Sequence, residues 1–151
     1  MADDVISMIR SDHREMERMF RLMKEDPGVL PLVLPLAVAV VTAHGRAEAD
    51  HVYPVLAEEA GDREHARHRM EEHQQTERLG RLLLDAEPAG EGFTGRLEEF
   101  MDAVLSHAQA EEDDLLPALA STVSGERLQA IGASFAARRT EEMTGRRAPG
   151  R

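Results

Sequence analysis

The stretch His44-Gly-Arg-Ala-Glu-Ala-Asp-His-Val-Tyr-Pro-Val-Leu-Ala57 recurs without a gap as His107-Ala-Gln-Ala-Glu-Glu-Asp-Asp-Leu-Leu-Pro-Ala-Leu-Ala120. Seven of the fourteen positions are identical: His, Ala, Glu, Asp, Pro, Leu and Ala. Each copy opens on a His with Glu four residues later. On a helix, residues i and i+4 stand about 40° apart, so this His and Glu can approach one ion together. A solenoid would show several copies at a shorter period. One pair of copies reads instead as two helices presenting the same groups at the same depth, that is, two equivalent half-sites.

Outward from the repeat, breakers divide the chain. Asp26-Pro27-Gly28 ends a first helix over roughly residues 3–25, and Gly61-Asp62 ends a second that starts near Pro31 to Pro35. Asp62 caps a third, which stops at Pro88-Ala-Gly-Glu-Gly92. A fourth spans about residues 93–121, and Ser124 caps a short fifth over 125–143. Pro54 and Pro117 fall inside helical patterns and predict a kink or break near the preceding residue. Four long helices with short loops predict an all-α, up-down-up-down four-helix bundle with a short fifth C-terminal helix. The expected organisation is one domain, residues 1–143, and a flexible tail, residues 144–151.

Composition agrees. The 151 residues suit one core, and good helix formers dominate. Aromatics are only 3% of the chain, so Leu, Val, Ala and Met must build that core. Twenty-nine acids against eighteen bases give a net charge of -11, which argues against nucleic-acid and anionic-membrane partners. No Cys is present, which removes disulfides, thiolate metal sites and Cys nucleophiles together. The opening MADDVISMIR is acidic and does not read as a signal peptide, so a cytoplasmic location is expected. Val29 to Ala43, interrupted by Pro31 and Pro35, is shorter than the roughly 20 apolar residues of a membrane helix. A monomer or weak homo-oligomer is expected.

Five of the seven His have Glu four residues later: His13/Glu17, His44/Glu48, His68/Glu72, His73/Glu77 and His107/Glu111. Glu is about an eighth of the chain, so chance supplies roughly one such pair. An isolated His–Glu pair is an ordinary surface ion pair. Helical phase separates the cases. His13 shares its face with Ile6, Ile9, Met16 and Phe20; His44 with Ala37, Val41 and Glu48; His73 with Ala66, Met70 and Glu77; His107 with Phe100, Val104 and Glu111. Each of the four main helices thus puts one His on its apolar stripe. Four inward His with several inward Glu cannot all find neutral partners in so small a core, whereas a metal centre satisfies them together. His65 and His68 lie off the stripe and should be solvated, Glu72 with them, and Glu17 reads as a surface acid. His51 and Asp114, equivalent in the repeat, face inward and are expected to orient ligand His rings, with a direct ligand role for His51 as the alternative. Tyr53 lies half a turn off the stripe and reads as packing or surface.

Asp12-His13-Arg-Glu-Met-Glu, His44-x-x-x-Glu48…Val-Tyr-Pro, Met70-Glu-Glu-His73 and His107-x-x-x-Glu111…Leu-Leu-Pro117 together resemble the hemerythrin-like, HHE cation-binding family. The resemblance covers about residues 3–120. It implies a four-helix bundle around two iron ions joined by an oxo or hydroxo bridge. Glu48 and Glu111 would bridge both irons, His13 and His44 would serve one, and His73 and His107 the other. The oxygen carriers of that family have a further His where this chain has Glu77. Two roles for Glu77 stay open: a seventh ligand, or an acid beside the ligands. As a ligand it would stabilise ferric iron and disfavour reversible oxygen carriage. Imidazole and carboxylate alone also suit manganese or zinc.

Three functions follow. One is a di-iron protein that reacts with dioxygen, hydrogen peroxide or nitric oxide, through oxygen activation, peroxide removal or sensing; an oxidase acting on a small organic substrate belongs to the same class. A second is a non-enzymatic iron-responsive or oxygen-binding module, for which metal supplies folding free energy. The third is a bundle without metal.

Overall fold

The computed structural model describes residues 3–145, and their secondary structure is helical throughout. α1 (Val5–Glu25) starts at Asp4, whose carboxylate accepts the Ser7 N–H at 2.9 Å. It stops at Asp26, whose carboxylate accepts the Gly28 N–H and folds Pro27–Val29 into a single 3₁₀ turn. α2 (Leu30–His51) continues without interruption through Pro31 and Pro35. Pro31 falls in the first turn, where no intrahelical N–H bond is needed.

The repeat is legible in the backbone. α2 breaks at Val52 and α3 (Tyr53–Glu58) follows, with Pro54 as its second residue. α5 (Phe93–Ala110) widens into a π turn over Glu111–Leu115, and α6 (Leu116–Thr122) follows, with Pro117 as its second residue. Each proline therefore starts a new helix instead of kinking an old one, because its missing N–H costs nothing there. Between the copies, α4 (Arg63–Asp85) is capped by Asp62, which accepts the His65 N–H.

The apolar core has two layers. One gathers Val5, Ile9, Val52, Leu56, Leu116 and Phe135; the other Phe20, Met23, Leu34, Val41, Leu83 and Phe100. On α1 and α4 the chain meets the first layer and then the second, while along α2, and along α5 with the π turn and α6 that follow it, the order is reversed. On each of these four helices a buried His falls where the layers meet. Burying a side chain such as Phe100 contributes about 2–3 kcal/mol. The two layers therefore offset the burial of a polar band that would be unfavourable alone.

The fifth helix has the expected span to within one residue, and only its description as short is corrected. α7 (Gly125–Thr144) has 20 residues and is not short. It lies along α2 and against the start of α1, with Leu128, Ile131 and Phe135 inward. Its stripe is sparse in large residues, so periodicity understates it. Gly132 permits the close approach: a Cβ there would stand 3.0 Å from the Val5 nitrogen. The tail expected over 144–151 lies outside the described residues beyond Gly145. The apolar stretch is also longer in structure than in sequence. Because both prolines are accommodated, Pro27–Glu58 is long and apolar enough to cross a membrane by length and composition. The same segment carries the inward His44 and Glu48.

Candidate metal centre

His13, His44, His73 and His107 are all buried, and Glu48 and Glu111 are completely so. His13 Nε2 lies 3.2 Å from Glu111 Oε1, and His44 Nε2 lies 3.1 Å from Glu48 Oε1. His107 Nε2 stands 3.5 Å from Glu111 Oε2 and 4.0 Å from Glu48 Oε1. Two ligand groups result: His13, His44 and Glu111, and Glu48, His107 and Glu111, each with its donor atoms within 4.8 Å of one another. Glu111 belongs to both. Two buried atoms here, His44 Nε2 and Glu48 Oε2, make no well-formed hydrogen bond; His44 Nε2 has only its 3.1 Å ion contact with Glu48 Oε1. A buried polar atom left so costs about 1–3 kcal/mol. A cation between them would satisfy both, so the donor set fits a metal. The small cavity at this place is lined by His13, His44, Glu48, His73 and His107 with Met16, Val41, Thr76 and Val104.

The outer ring nitrogens follow a pattern. His13 Nδ1 is 2.8 Å from Glu112, His44 Nδ1 2.7 Å from Asp12, and His107 Nδ1 2.9 Å from Glu72. Each carboxylate is held in turn by an arginine: Glu112 by Arg14, Asp12 by Arg139 and Glu72 by Arg69. A carboxylate on Nδ1 fixes the proton there and leaves Nε2 free to coordinate. His73 differs. Its Nε2 lies 3.5 Å from Glu77, and no carboxylate accepts from its Nδ1 among the described residues.

Electrostatics match a site built for positive charge. Burial, reinforced by Glu111, pushes the Glu48 carboxyl up to about 7. Burial also opposes ionisation of Glu111, but His107, His13 and a hydrogen bond from Glu48 hold it well below the usual carboxylate range. Without metal, Glu48 is thus the carboxyl pushed toward its protonated form, and Glu111 the one held ionised. Burial opposes charge on His44, yet Glu48 and Asp12 overcome it and raise its pKa well above the ordinary value. His107 rises for the same reason through Glu111 and Glu72, while burial lowers His73.

Of the residues expected as ligands, His13, His44, Glu48, His107 and Glu111 converge, and His73 lines the same cavity. Glu77 stands beside His73 but outside both ligand groups, ion-paired with Arg46 at 2.7 Å. His65 and His68 are exposed, as their helical phase predicts. Four readings need correction. His51 does not orient a ligand: it lines an outer groove with Arg127 and Ile131, because α7 gives α2 a second buried side. Asp114 is exposed, because the π turn shifts the phase beyond Glu111. Glu72 is not solvated with His68 but accepts from His107. Tyr53 is buried at the site, its hydroxyl 3.2 Å from Glu48 Oε1, 3.0 Å from Glu111 Oε2 and 2.9 Å from His107 Nε2. The break at Val52 turns Tyr53 out of the phase of α2. Its one sequence signal is a hydroxyl where the second copy has Leu116.

Three comparisons bear on this geometry. A curated protein named DNA nickase, from Nostoc sp. (strain PCC 7120 / SAG 25.82 / UTEX 2576), is 23% identical over 140 residues. The match takes in 91% of this chain but 40% of that protein, so the chain spans about two fifths of its relative's length. No solved structure matches the chain. The model of the hemerythrin HHE cation-binding domain matches residues 4–119, from the cap of α1 into α6, a segment that contains every buried His and Glu of the cluster. With the fold, the buried ligands and this match in agreement, the chain belongs to the hemerythrin HHE cation-binding domain family.

Proposed function

We propose that this chain holds two iron ions between α1, α2, α4 and α5, packed as an up-down-up-down bundle, and turns them on a small oxidant: dioxygen, hydrogen peroxide or nitric oxide. The observation that carries the reading is the pair of orphaned atoms, His44 Nε2 and Glu48 Oε2, facing a cavity ringed by three further His. His13 and His44 would hold one ion, His73 and His107 the other, with Glu48 and Glu111 between them. Iron held by these residues would supply one-electron redox chemistry toward a small ligand.

The chain's own residues set the terms of that chemistry. Met16, Val41 and Val104 keep the cavity dry on its apolar side. The room inside is about 20 Å³, enough for roughly one water-sized species. Tyr53 places a hydroxyl against both carboxylates and His107, where it can donate a proton or hold one. Asp12, Glu72 and Glu112 keep three rings in the coordinating tautomer. The net charge of -11 supports no nucleic-acid substrate, despite the name of the Nostoc relative.

Metal analysis of purified, iron-reconstituted protein tests the reading. Two irons per chain are expected; one or none overturns it. Absorption of the reduced protein on mixing with each oxidant then identifies the ligand, and inertness to all three removes the redox role.

A further inference from the structure

Glu77 is the one acid near the cavity whose position does not follow from the pattern of the other three. Asp12, Glu72 and Glu112 each grip a His Nδ1, whereas Glu77 faces His73 Nε2 at 3.5 Å from one turn along α4. Its other oxygen, Oε1, is taken by arginine: Arg46 Nη2 at 2.7 Å and Arg81 Nη1 at 3.4 Å. Arg46 projects from α2, next to Gly45, and its second nitrogen, Nη1, donates to Glu142 on α7 at 3.0 Å. Glu142 is gripped from its own helix by Arg138 at 2.7 Å. A chain of alternating charge thus runs from α7 to the edge of the cavity. Glu142 lies beyond the segment that matches the family.

We propose that Arg46 is a positioning residue that withholds Glu77 from the metal, and that α7, through Glu142, holds Arg46 in place. A guanidinium cannot lose its proton, so it competes for a carboxylate at every accessible pH. Glu77 and Glu142 are both largely buried, which spares their bonds to Arg46 much of the screening that weakens surface pairs. Freed of Arg46, Glu77 is a hard oxygen donor beside His73 and adds one negative charge to the ligand set. Ligand number, and with it the preference for ferric or ferrous iron, is therefore set by a pair outside the ligand shell.

The inference rests on the iron reading, and its test keeps the two apart. Wild type, Arg46→Gln, Glu77→Gln and the double variant are loaded with iron; iron content, visible absorption and reduction potential are recorded for each. Glu77→Gln is expected to keep the iron content and absorption of wild type, because Glu77 does not coordinate, while the loss of its charge raises the potential. Arg46→Gln is expected to shift the absorption and lower the potential. The double variant is expected to return to wild type, a rescue that a packing defect at residue 46 would not show. Where Arg46→Gln fails to fold, Glu142→Gln loosens the same arginine and is expected to shift the potential in the same direction. Wild type without iron removes the parent reading. Iron-loaded wild type with an Arg46→Gln of unshifted absorption, or with a Glu77→Gln whose iron content or absorption shifts, overturns this one alone.

Discussion

Gly45 and His73 meet across the gap between α2 and α4 so closely that a Cβ on Gly45 would lie 2.1 Å from His73 Nδ1 and 2.3 Å from its Cε1. The ring lies directly over the backbone of α2. The missing side chain of Gly45 is therefore what lets His73 enter the cavity, one residue after the buried His44. Elsewhere in a helix such a glycine would only cost stability relative to alanine.

Gly45→Ala should therefore expel His73. Overpacking of this kind costs about 1–3 kcal/mol, offset in part by the better helix propensity of Ala. The expected result is a folded, helical protein whose affinity for one iron falls tenfold or more, read by metal titration. Full affinity in this variant would show that His73 is not a ligand.

The inward and outward His should separate cleanly. His44→Ala and His107→Ala each remove a buried donor from one ligand group, so at least one iron per chain is lost. His65→Ala and His68→Ala alter exposed side chains and leave iron content unchanged. Iron retained at two per chain in the first pair would overturn the ligand assignment.

Tyr53→Phe deletes the hydroxyl shared by Glu48, Glu111 and His107 while keeping the ring's packing. The metal-free protein should lose about 1–3 kcal/mol, because buried acceptors lose a donor. Iron stoichiometry should hold at the wild-type value. Denaturant melts with and without iron check both statements.

Metal loading should depend on pH with a defined sign. Metal-free, the Glu48 carboxyl is raised to about 7, and His44 and His107 are raised as well. Groups raised on folding stabilise at low pH, and that stability is lost as pH rises through their folded values. Across about pH 5 to 8 the metal-free protein should therefore become less stable as pH rises, while iron affinity increases because fewer protons must leave. Asp12, Glu72 and Glu77 are lowered instead, so their contribution disappears at more acid pH. Melting temperatures of both forms across this range should diverge toward the alkaline end. Parallel curves would argue against proton release on binding.

Periodicity placed His13, His44, His73 and His107 on inward stripes because a helix repeats at a period that local sequence can display. It could not place Tyr53, Asp114 or Glu77. Tyr53 depends on a break at Val52, Asp114 on the extra residue of a π turn, and Glu77 on an arginine 31 residues earlier in the chain. Each of these alters phase or pairing without altering composition.

The sequence by itself determined the helices, their ends at Asp26, Asp62 and Ser124, and the six side chains that the four main helices turn inward. Those features follow from backbone hydrogen bonding and from the phase of single helices, which are local. Only the tertiary structure decided which acid holds which His: Asp12 to His44 over 32 positions, Glu72 to His107 over 35, and Glu112 to His13 over 99. It also decided that α7 reaches the site, with Arg139 on Asp12 and the Phe135 ring 5.5 Å from that of His44. These pairings depend on helix separation and rotation. Both are set by the packing of two apolar layers, which no single helix encodes.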